Sequence, residues 1–146
     1  MAPLTEAATD RTAARSRLAG PVVVASIVVA GTVALHLRDP HDSGSWGYCP
    51  YKLLTGMDCP GCGSLRAVND LSNGHLVAAM SSNLLFVAMV PVAVLLWAAW
   101  ARRSWLGLPS PTHGPRAARA TWLAAAAVAV VFTVVRNTPW GSWLHS

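Results

Sequence analysis

Three cysteines in one short segment are the residues of this sequence whose types and spacing could do chemistry. Cys49 precedes Pro50, and Cys59 and Cys62 belong to a Cys-Pro-Gly-Cys-Gly run. The Cys-x-x-Cys spacing permits a tight disulfide, a redox-active pair, or two thiolate ligands to one metal ion. Because three is an odd number, any single disulfide leaves one thiol over. That remainder favours metal binding or disulfide exchange over simple bracing.

A helix that begins just after Cys62 would change the acidity of this thiol. The unpaired amide groups and the positive dipole end of a helix N-terminus favour thiolate over thiol. Arg66 follows four residues later and adds a positive charge on the same helical face. We therefore expect a lowered pKa at Cys62. Arg66 has two alternative roles, binding a lipid phosphate or capping loop carbonyl groups.

Zinc is the one cofactor that the sequence suggests, as an alternative to a disulfide or to free thiols. Three thiolates need a fourth ligand for tetrahedral coordination, and His41 or His75 could supply it. The simpler interpretation of His75 is an exposed residue at the membrane interface. Asp58 and Asp70 flank the cysteines and are expected to be acids of a turn or a helix surface. No carboxylate pair with a catalytic spacing is present in the loop, which argues against an enzyme.

Long apolar runs predict the elements that position these residues. The chain is 53% hydrophobic and 12% charged, whereas soluble proteins carry about 25% charged residues. Residues 18–37, 84–101 and 117–135 form three apolar runs, and a helical bilayer crossing needs about 20 residues. The sequence therefore predicts an all-α membrane protein with three transmembrane helices. A cleaved signal within residues 1–37 is the alternative, although signal cores are only about 7–15 residues long.

The distribution of basic residues predicts the orientation in the plasma membrane. With a cytoplasmic N-terminus, seven Lys and Arg residues lie inside and four outside, as the positive-inside rule favours. Arg119 and Arg136 fall at span ends, where their side chains are expected to reach the interface. The remaining segments are a disordered cytoplasmic tail (1–17), an extracytoplasmic cysteine loop (38–83), a cytoplasmic Pro/Gly-rich loop (102–116) and an extracytoplasmic tail (136–146).

Short helices are predicted inside the cysteine loop. Residues 64–72 place their apolar side chains on one side, and Asn73-Gly74 is a helix stop. Residues 75–80 form a second short helix, and Ser82 or Asn83 then caps the second span. Such short, mildly amphipathic helices are expected to lie in the plane of the interface.

At these residues the chain resembles a bacterial family of small membrane proteins, domain of unknown function number twenty-seven fifty-two. Its members share C-P, then T-G-x-x-C-P-G-C-G-x-x-R-A, then a Gly and an Asn that begins a span. The matching positions are Cys49, Pro50, Thr55, Gly56, Cys59, Pro60, Gly61, Cys62, Gly63, Arg66, Ala67, Gly74 and Asn83. Leu65, His75 and Leu84 depart from the usual residues. The resemblance implies an outer or interfacial cysteine motif and supplies no activity.

These patterns favour an accessory or scaffold protein of unknown biochemical role, with an outer loop braced by a disulfide or a metal. Small residues at Gly31 and 124–127 offer close-packing surfaces, so the expected partners are the lipid bilayer and another membrane protein or a second copy. Nucleic acid is excluded because the basic residues lie at the ends of apolar runs. The alternative is a membrane thiol-redox protein that uses Cys59 and Cys62.

Overall fold

Five α-helices and one 3-10 helix make up the computed structural model, which describes residues 3–42, 44–112 and 114–144. Side chains are described from residue 16 onward within these ranges, except that of Ser142. The helices are α1 (Pro3–Leu37), α2 (Pro50–Thr55), α3 (Ser64–Ser72), α4 (Leu76–Leu106) and α5 (Pro115–Arg136), followed by the 3-10 helix (Pro139–Leu144). No strand occurs within these described ranges, so the predicted all-α class is confirmed.

Three of these helices are long and apolar enough to cross a membrane. The candidate spans are Ser16–Leu37, Leu76–Leu106 and Pro115–Arg136, with mean hydropathies of 2.3, 2.3 and 1.9. Large apolar side chains point outward along them, such as Ile27 and Leu95, which are 67% and 70% exposed. Apolar surface of this extent is favourable only when something other than water covers it. The predicted three-span membrane protein is confirmed.

The first helix begins earlier than the apolar run does. Residues 3–17 are helical and continue into the span, whereas the sequence analysis expects a disordered tail there. Ala, Leu, Glu and Arg are good helix formers, and Pro3 occupies the start, where its missing N–H costs nothing. No glycine or proline interrupts residues 4–19.

The chain divides into two units. The first combines residues 1–31 with 91–112, and the second combines residues 32–90 with 113–146. Within the first unit, the Trp97 ring N–H donates to the Pro21 carbonyl over 3.1 Å, which joins α1 to α4. All three cysteines lie in the second unit.

Asn83 divides α4 into a short helix and a span. Its backbone is extended, with φ −162° and ψ 94°, so residues 76–82 form one helix and the span starts after Asn83. The Asn83 side-chain oxygen accepts a hydrogen bond from the Phe86 amide over 2.9 Å, which is the geometry of a helix N-cap. Of the two predicted caps, Ser82 and Asn83, the structure shows Asn83 in this role. The predicted helix at 64–72 is also confirmed, by α3.

The last described turn packs against the end of α5. A Cβ atom on Gly141 would meet the Val135 carbonyl, and the Arg136 Cα at 2.8 Å. Only glycine allows this close approach of backbone to backbone. Leu144, at the end of the 3-10 helix, is 4% exposed as a result of this packing. Neither this helix nor α2 was predicted from the sequence.

Candidate functional site

The three cysteine sulfur atoms form one cluster, which we call the thiol triad. The Cys59 and Cys62 sulfurs are 2.8 Å apart, and those of Cys49 and Cys59 are 3.5 Å apart. All three sulfurs lie within 4.8 Å of one another. The Cys59 amide also donates to the Cys62 sulfur over 3.2 Å. The structure thus brings together every predicted thiol candidate.

Two tight pieces of backbone present these thiols. Between the second and third cysteines the chain turns, with the Cys62 amide donating to the Cys59 carbonyl over 3.1 Å. Gly63 then adopts a left-handed conformation, with φ 79°, as the residue before α3; residues with a Cβ rarely take this conformation. Cys49 comes from elsewhere, as the N-cap residue of α2, with Pro50 as the first helical residue.

Asn83 holds the turn between Cys59 and Cys62 from the second span. Its side-chain amide donates to the Pro60 and Cys62 carbonyls, over 3.0 Å each, and it lies 3.1 Å from the Ser64 hydroxyl. The residue is fully buried. One side chain therefore caps the span with its oxygen and fixes the thiol-bearing turn with its nitrogen.

Arg136 holds the same turn from the third span. Its guanidinium donates to the Cys62 carbonyl over 2.7 Å and to the Ser82 carbonyl over 3.2 Å, with the Cys59 carbonyl 3.5 Å away. Arg136 is 0% exposed. The expectation that this side chain reaches toward the interface was wrong, because buried carbonyl groups accept hydrogen bonds from its guanidinium.

Asp58 is the counter-charge of this buried arginine. Its carboxylate lies 3.7 Å from the Arg136 Nε and 2.9 Å from the Lys52 amine. The Asp58 backbone exchanges two hydrogen bonds with the Asn137 side chain, of 2.9 and 2.8 Å. Asp58 lies just before the turn that carries Cys59 and Cys62, and it is 3% exposed.

Asp70 is buried as well, at 5% exposure, and its prediction as a helix-surface acid was also wrong. Its carboxylate accepts a hydrogen bond from the Ser82 hydroxyl over 2.9 Å. A second contact, of 3.6 Å, joins it to the His41 ring. The neighbouring Asn69 side chain donates to the Leu35 carbonyl over 2.7 Å. These contacts attach α3 to the end of α1 and to the short helix at 76–82.

Neither proposed histidine ligand belongs to the thiol triad. His41 contacts Asp39 over 2.7 Å and Asp70, and His75 is exposed. Among the side chains that the structure describes, the group able to hold a metal consists of the three cysteines alone. Arg66 donates to the Pro40 carbonyl over 3.4 Å, which is the carbonyl-capping alternative of its two predicted roles.

The environment shifts the acidity of two thiols in opposite directions. The backbone amide of Lys52, and then the side chain of Cys62, lower the pKa of Cys49. Burial, followed by the hydrogen bond with Cys59, raises the pKa of Cys62 to about 12. The predicted lowering at Cys62 was wrong, because desolvation of a thiolate outweighs the helix terminus. Of these two thiols, Cys49 is the one with the lowered pKa.

A cavity opens directly over the triad. Its volume is about 490 Å³, and all three cysteines line it together with Lys52 and Arg66. A second, mostly apolar cavity of about 430 Å³ lies beside α5. It is lined by Tyr51, Met57, Pro60, Ala129, Val130, Thr133, Val134 and Asn137. The thiols therefore face an accessible space that carries two basic side chains.

Fold and site together define a small helical membrane protein with a thiol cluster in the loop between its first two spans. Residues 49–97 match the model of a family described as a protein of unknown function (DUF2752), which confirms the family that the motif resembles. No curated protein and no solved structure matches the chain. The matched segment contains the triad and Asn83, whereas Arg136 lies beyond it.

Sequence reasoning missed the polar residues that hold the triad from α5. Arg136 and Asn137 directly follow an apolar run and precede Thr138-Pro139. An arginine next to an asparagine at the end of a span is also typical of an interfacial flank, so this signal does not distinguish the two roles. Their partners at Asp58 and Cys62 are distant in the chain, and only the fold brings them close.

Proposed function

We propose that this chain is a small accessory or scaffold protein of the plasma membrane, with a rigid outer cap formed by its cysteine loop. A disulfide or a metal ion at the thiol triad braces the cap. The observation that carries this proposal is the fully buried Arg136, which donates to the carbonyls of Cys62 and Ser82. The last span thereby holds both the triad and the start of the second span.

Burial of a guanidinium is costly unless its charge is paired and its donors find acceptors. Here Asp58 supplies the counter-charge and loop carbonyls accept from both terminal nitrogens, while the buried Nε, 3.7 Å from the Asp58 carboxylate, makes no hydrogen bond. The Cys62 carbonyl belongs to an irregular turn, and the donors that the structure describes for it are the side chains of Arg136 and Asn83. The buried arginine and the turn thus stabilise each other. This mutual dependence indicates that the cysteine loop is a fixed cap rather than a mobile loop.

The proposed orientation places the N-terminus in the cytoplasm and the cap and C-terminus outside. The asymmetry of basic residues supports this orientation. An outer location also suits the cysteines, since disulfides form and persist outside the cytoplasm.

Disulfide exchange is the second candidate function, and one contact favours it. The Cys49 sulfur lies 3.5 Å from that of Cys59, so a Cys49 thiolate could attack a Cys59–Cys62 disulfide. The products would be a Cys49–Cys59 disulfide and a Cys62 thiolate. Thiols of high pKa are poor leaving groups, and the pKa of Cys62 is about 12. The raised pKa of Cys62 therefore favours bracing over exchange.

Replacement of one buried cysteine tests the bracing proposal. We expect Cys62→Ser to lower the amount of protein in the membrane and to open residues 38–83 to limited proteolysis, since the brace is lost. Leu54→Ser, a change at an 87% exposed position of the same loop, is the control and should behave as wild type.

Intact mass with and without reductant, together with metal content, then identifies the brace. A mass lower by about 2 Da before reduction indicates one disulfide, because two thiol hydrogens are absent. Normal abundance and normal protease resistance of Cys62→Ser would contradict the rigid-cap proposal.

A further inference from the structure

We infer that the thiol triad is a three-ligand zinc site whose fourth coordination position opens into the cavity above it and takes a small anion. This inference rests on the proposed function, and it deepens it by assigning the brace and the ligand class. Three observations carry it, namely the composition of the cluster, the charge around it and the cavity that it faces.

The composition of the cluster sets the ligand count. Three thiolates select soft or borderline metal ions such as Zn²⁺ or Cu⁺. No fourth protein ligand belongs to the cluster among the described side chains, and the nearest acid, Asp58, is engaged by Lys52 and Arg136. A site with three protein ligands keeps one position for an exogenous group, which distinguishes reactive zinc sites from closed structural ones.

The sulfur separations suit one metal ion after small adjustments. Tetrahedral zinc with Zn–S distances of about 2.3 Å places its sulfurs about 3.8 Å apart. The Cys49–Cys59 separation of 3.5 Å is already close to this value. The Cys59–Cys62 separation of 2.8 Å must increase by about 1 Å, which thiol rotation around the turn can provide.

The surrounding charge favours a divalent ion. Three thiolates and Zn²⁺ carry one net negative charge, whereas three thiolates and Cu⁺ carry two. Asp58, Lys52 and Arg136 together carry one net positive charge, and the guanidinium contacts the carbonyls of two of the cysteines. Before any anion binds, zinc therefore leaves this partly buried group neutral, whereas Cu⁺ leaves it with one negative charge, and a smaller net charge lowers the cost of desolvation. The charge that a bound anion adds is opposed by Arg66, which lines the same cavity.

The cavity defines what the open position accepts. All three cysteines line the same space of about 490 Å³, as do Lys52 and Arg66. The lining carries one acid, Asp42, against these two basic side chains, so a ligand bound to the metal from this side meets a net positive charge, which favours a small anion over a neutral molecule. Tyr48 and Trp46 also line this space.

Cobalt substitution of the full-length protein in detergent tests this inference. After reduction and loading with Co²⁺, we expect one ion per chain, strong thiolate-to-cobalt charge-transfer absorption, and the visible bands of a four-coordinate site. Sodium azide should shift these visible bands, because it replaces water at the open position. Protein purified from cells without added metal should carry zinc.

Matched variants identify the ligands. Cys49→Ser and Cys62→Ser should each lose most of the bound cobalt, whereas His41→Ala and His75→Ala should keep both the spectrum and the azide shift. Arg66→Gln should weaken azide binding several-fold and leave the cobalt content unchanged. Arg119→Gln is its control, because Arg119 is an exposed residue of α5 and does not line the cavity.

The results that would contradict the zinc site differ from those that would contradict the rigid cap. A changed spectrum in His41→Ala or His75→Ala, or no azide shift in the wild type, would overturn the open position. Copper in the purified protein, or no metal uptake after reduction, would overturn the zinc site. In these cases a protease-sensitive Cys62→Ser variant would still support the cap, with a disulfide or another metal as its brace.

Discussion

The three sulfurs of the triad are close together, yet their chemical environments differ. Cys49 is the N-cap residue of α2 and is about half-buried, and the Lys52 amide lowers the pKa of its thiol. Cys62 is 7% exposed, and burial raises the pKa of its thiol to about 12. Because the thiolate is the reactive form, the two residues should differ in alkylation.

We expect Cys49 to react first with iodoacetamide in the reduced, metal-free protein. Its alkylation rate should rise with pH around a midpoint below that of an ordinary thiol. The raised pKa of Cys62 means that the folded protein holds the neutral thiol, so this residue should stay unmodified at pH 9 and react only as the pH approaches 12. Timed alkylation followed by peptide mass spectrometry measures all three rates.

Denaturant supplies the control for that experiment, because unfolding removes both environments and should make the three rates similar. Equal rates for Cys49 and Cys62 in the folded protein at pH 8 would show that burial does not protect Cys62.

At the scale of elements, side chains at the ends of two spans hold an irregular loop. Asn83 at the start of the second span and Arg136 at the end of the third donate to the same Cys62 carbonyl. Asn137 adds two hydrogen bonds to the Asp58 backbone. The loop therefore depends on the correct assembly of α4 with α5, and loosening either helix should release the triad.

Arg136→Met is the substitution that tests this dependence. It removes the donors to the loop carbonyls and leaves Asp58 without its buried partner, although Lys52 still contacts that carboxylate. Breaking a buried ion pair from one side costs about 3–5 kcal/mol, and we expect a loss of free energy of unfolding of this order. Denaturant unfolding in detergent measures it.

Arg119→Met is the matched control, because Arg119 lies on the same helix and is exposed. We expect its free energy of unfolding to change by less than about 0.5 kcal/mol. Similar losses in the two variants would mean that Arg136 has no special role in holding the loop.

At the scale of the whole molecule, the proposed three-span topology puts the cysteine loop and the end of α5 on one side of the membrane, and the loop between α4 and α5 on the other side. The proposed orientation puts the cysteine loop outside, and single introduced cysteines test it. We expect Asn73→Cys to react with a membrane-impermeant maleimide on intact cells, and Ser110→Cys to react only after permeabilisation. Both positions are exposed, so accessibility depends on sidedness alone.

The parent protein, with its three native cysteines, gives the background of that labelling experiment. The reverse pattern would overturn the orientation and leave the three-span fold intact.

Patterns among neighbouring residues were sufficient to predict many of the secondary-structure elements of this protein. Apolar runs of bilayer length determined the three spans, and short-range capping determined α3 and the Asn83 cap. Asn83 shows why, since its cap partner Phe86 lies three residues away. The sequence likewise identified the three cysteines and the family model that they match.

Only the tertiary structure decided how the triad is held and which thiol is acidic. Arg136 and Cys62 are 74 residues apart in the chain, and no local pattern predicts that the guanidinium turns inward to the loop. Burial, and not the nearby helix terminus, determined the direction of the pKa shift of Cys62. Burial in turn depends on all the residues that pack around the thiol. Spans and caps are encoded by neighbours in sequence, whereas desolvation and long-range hydrogen bonds exist only once the helices have assembled.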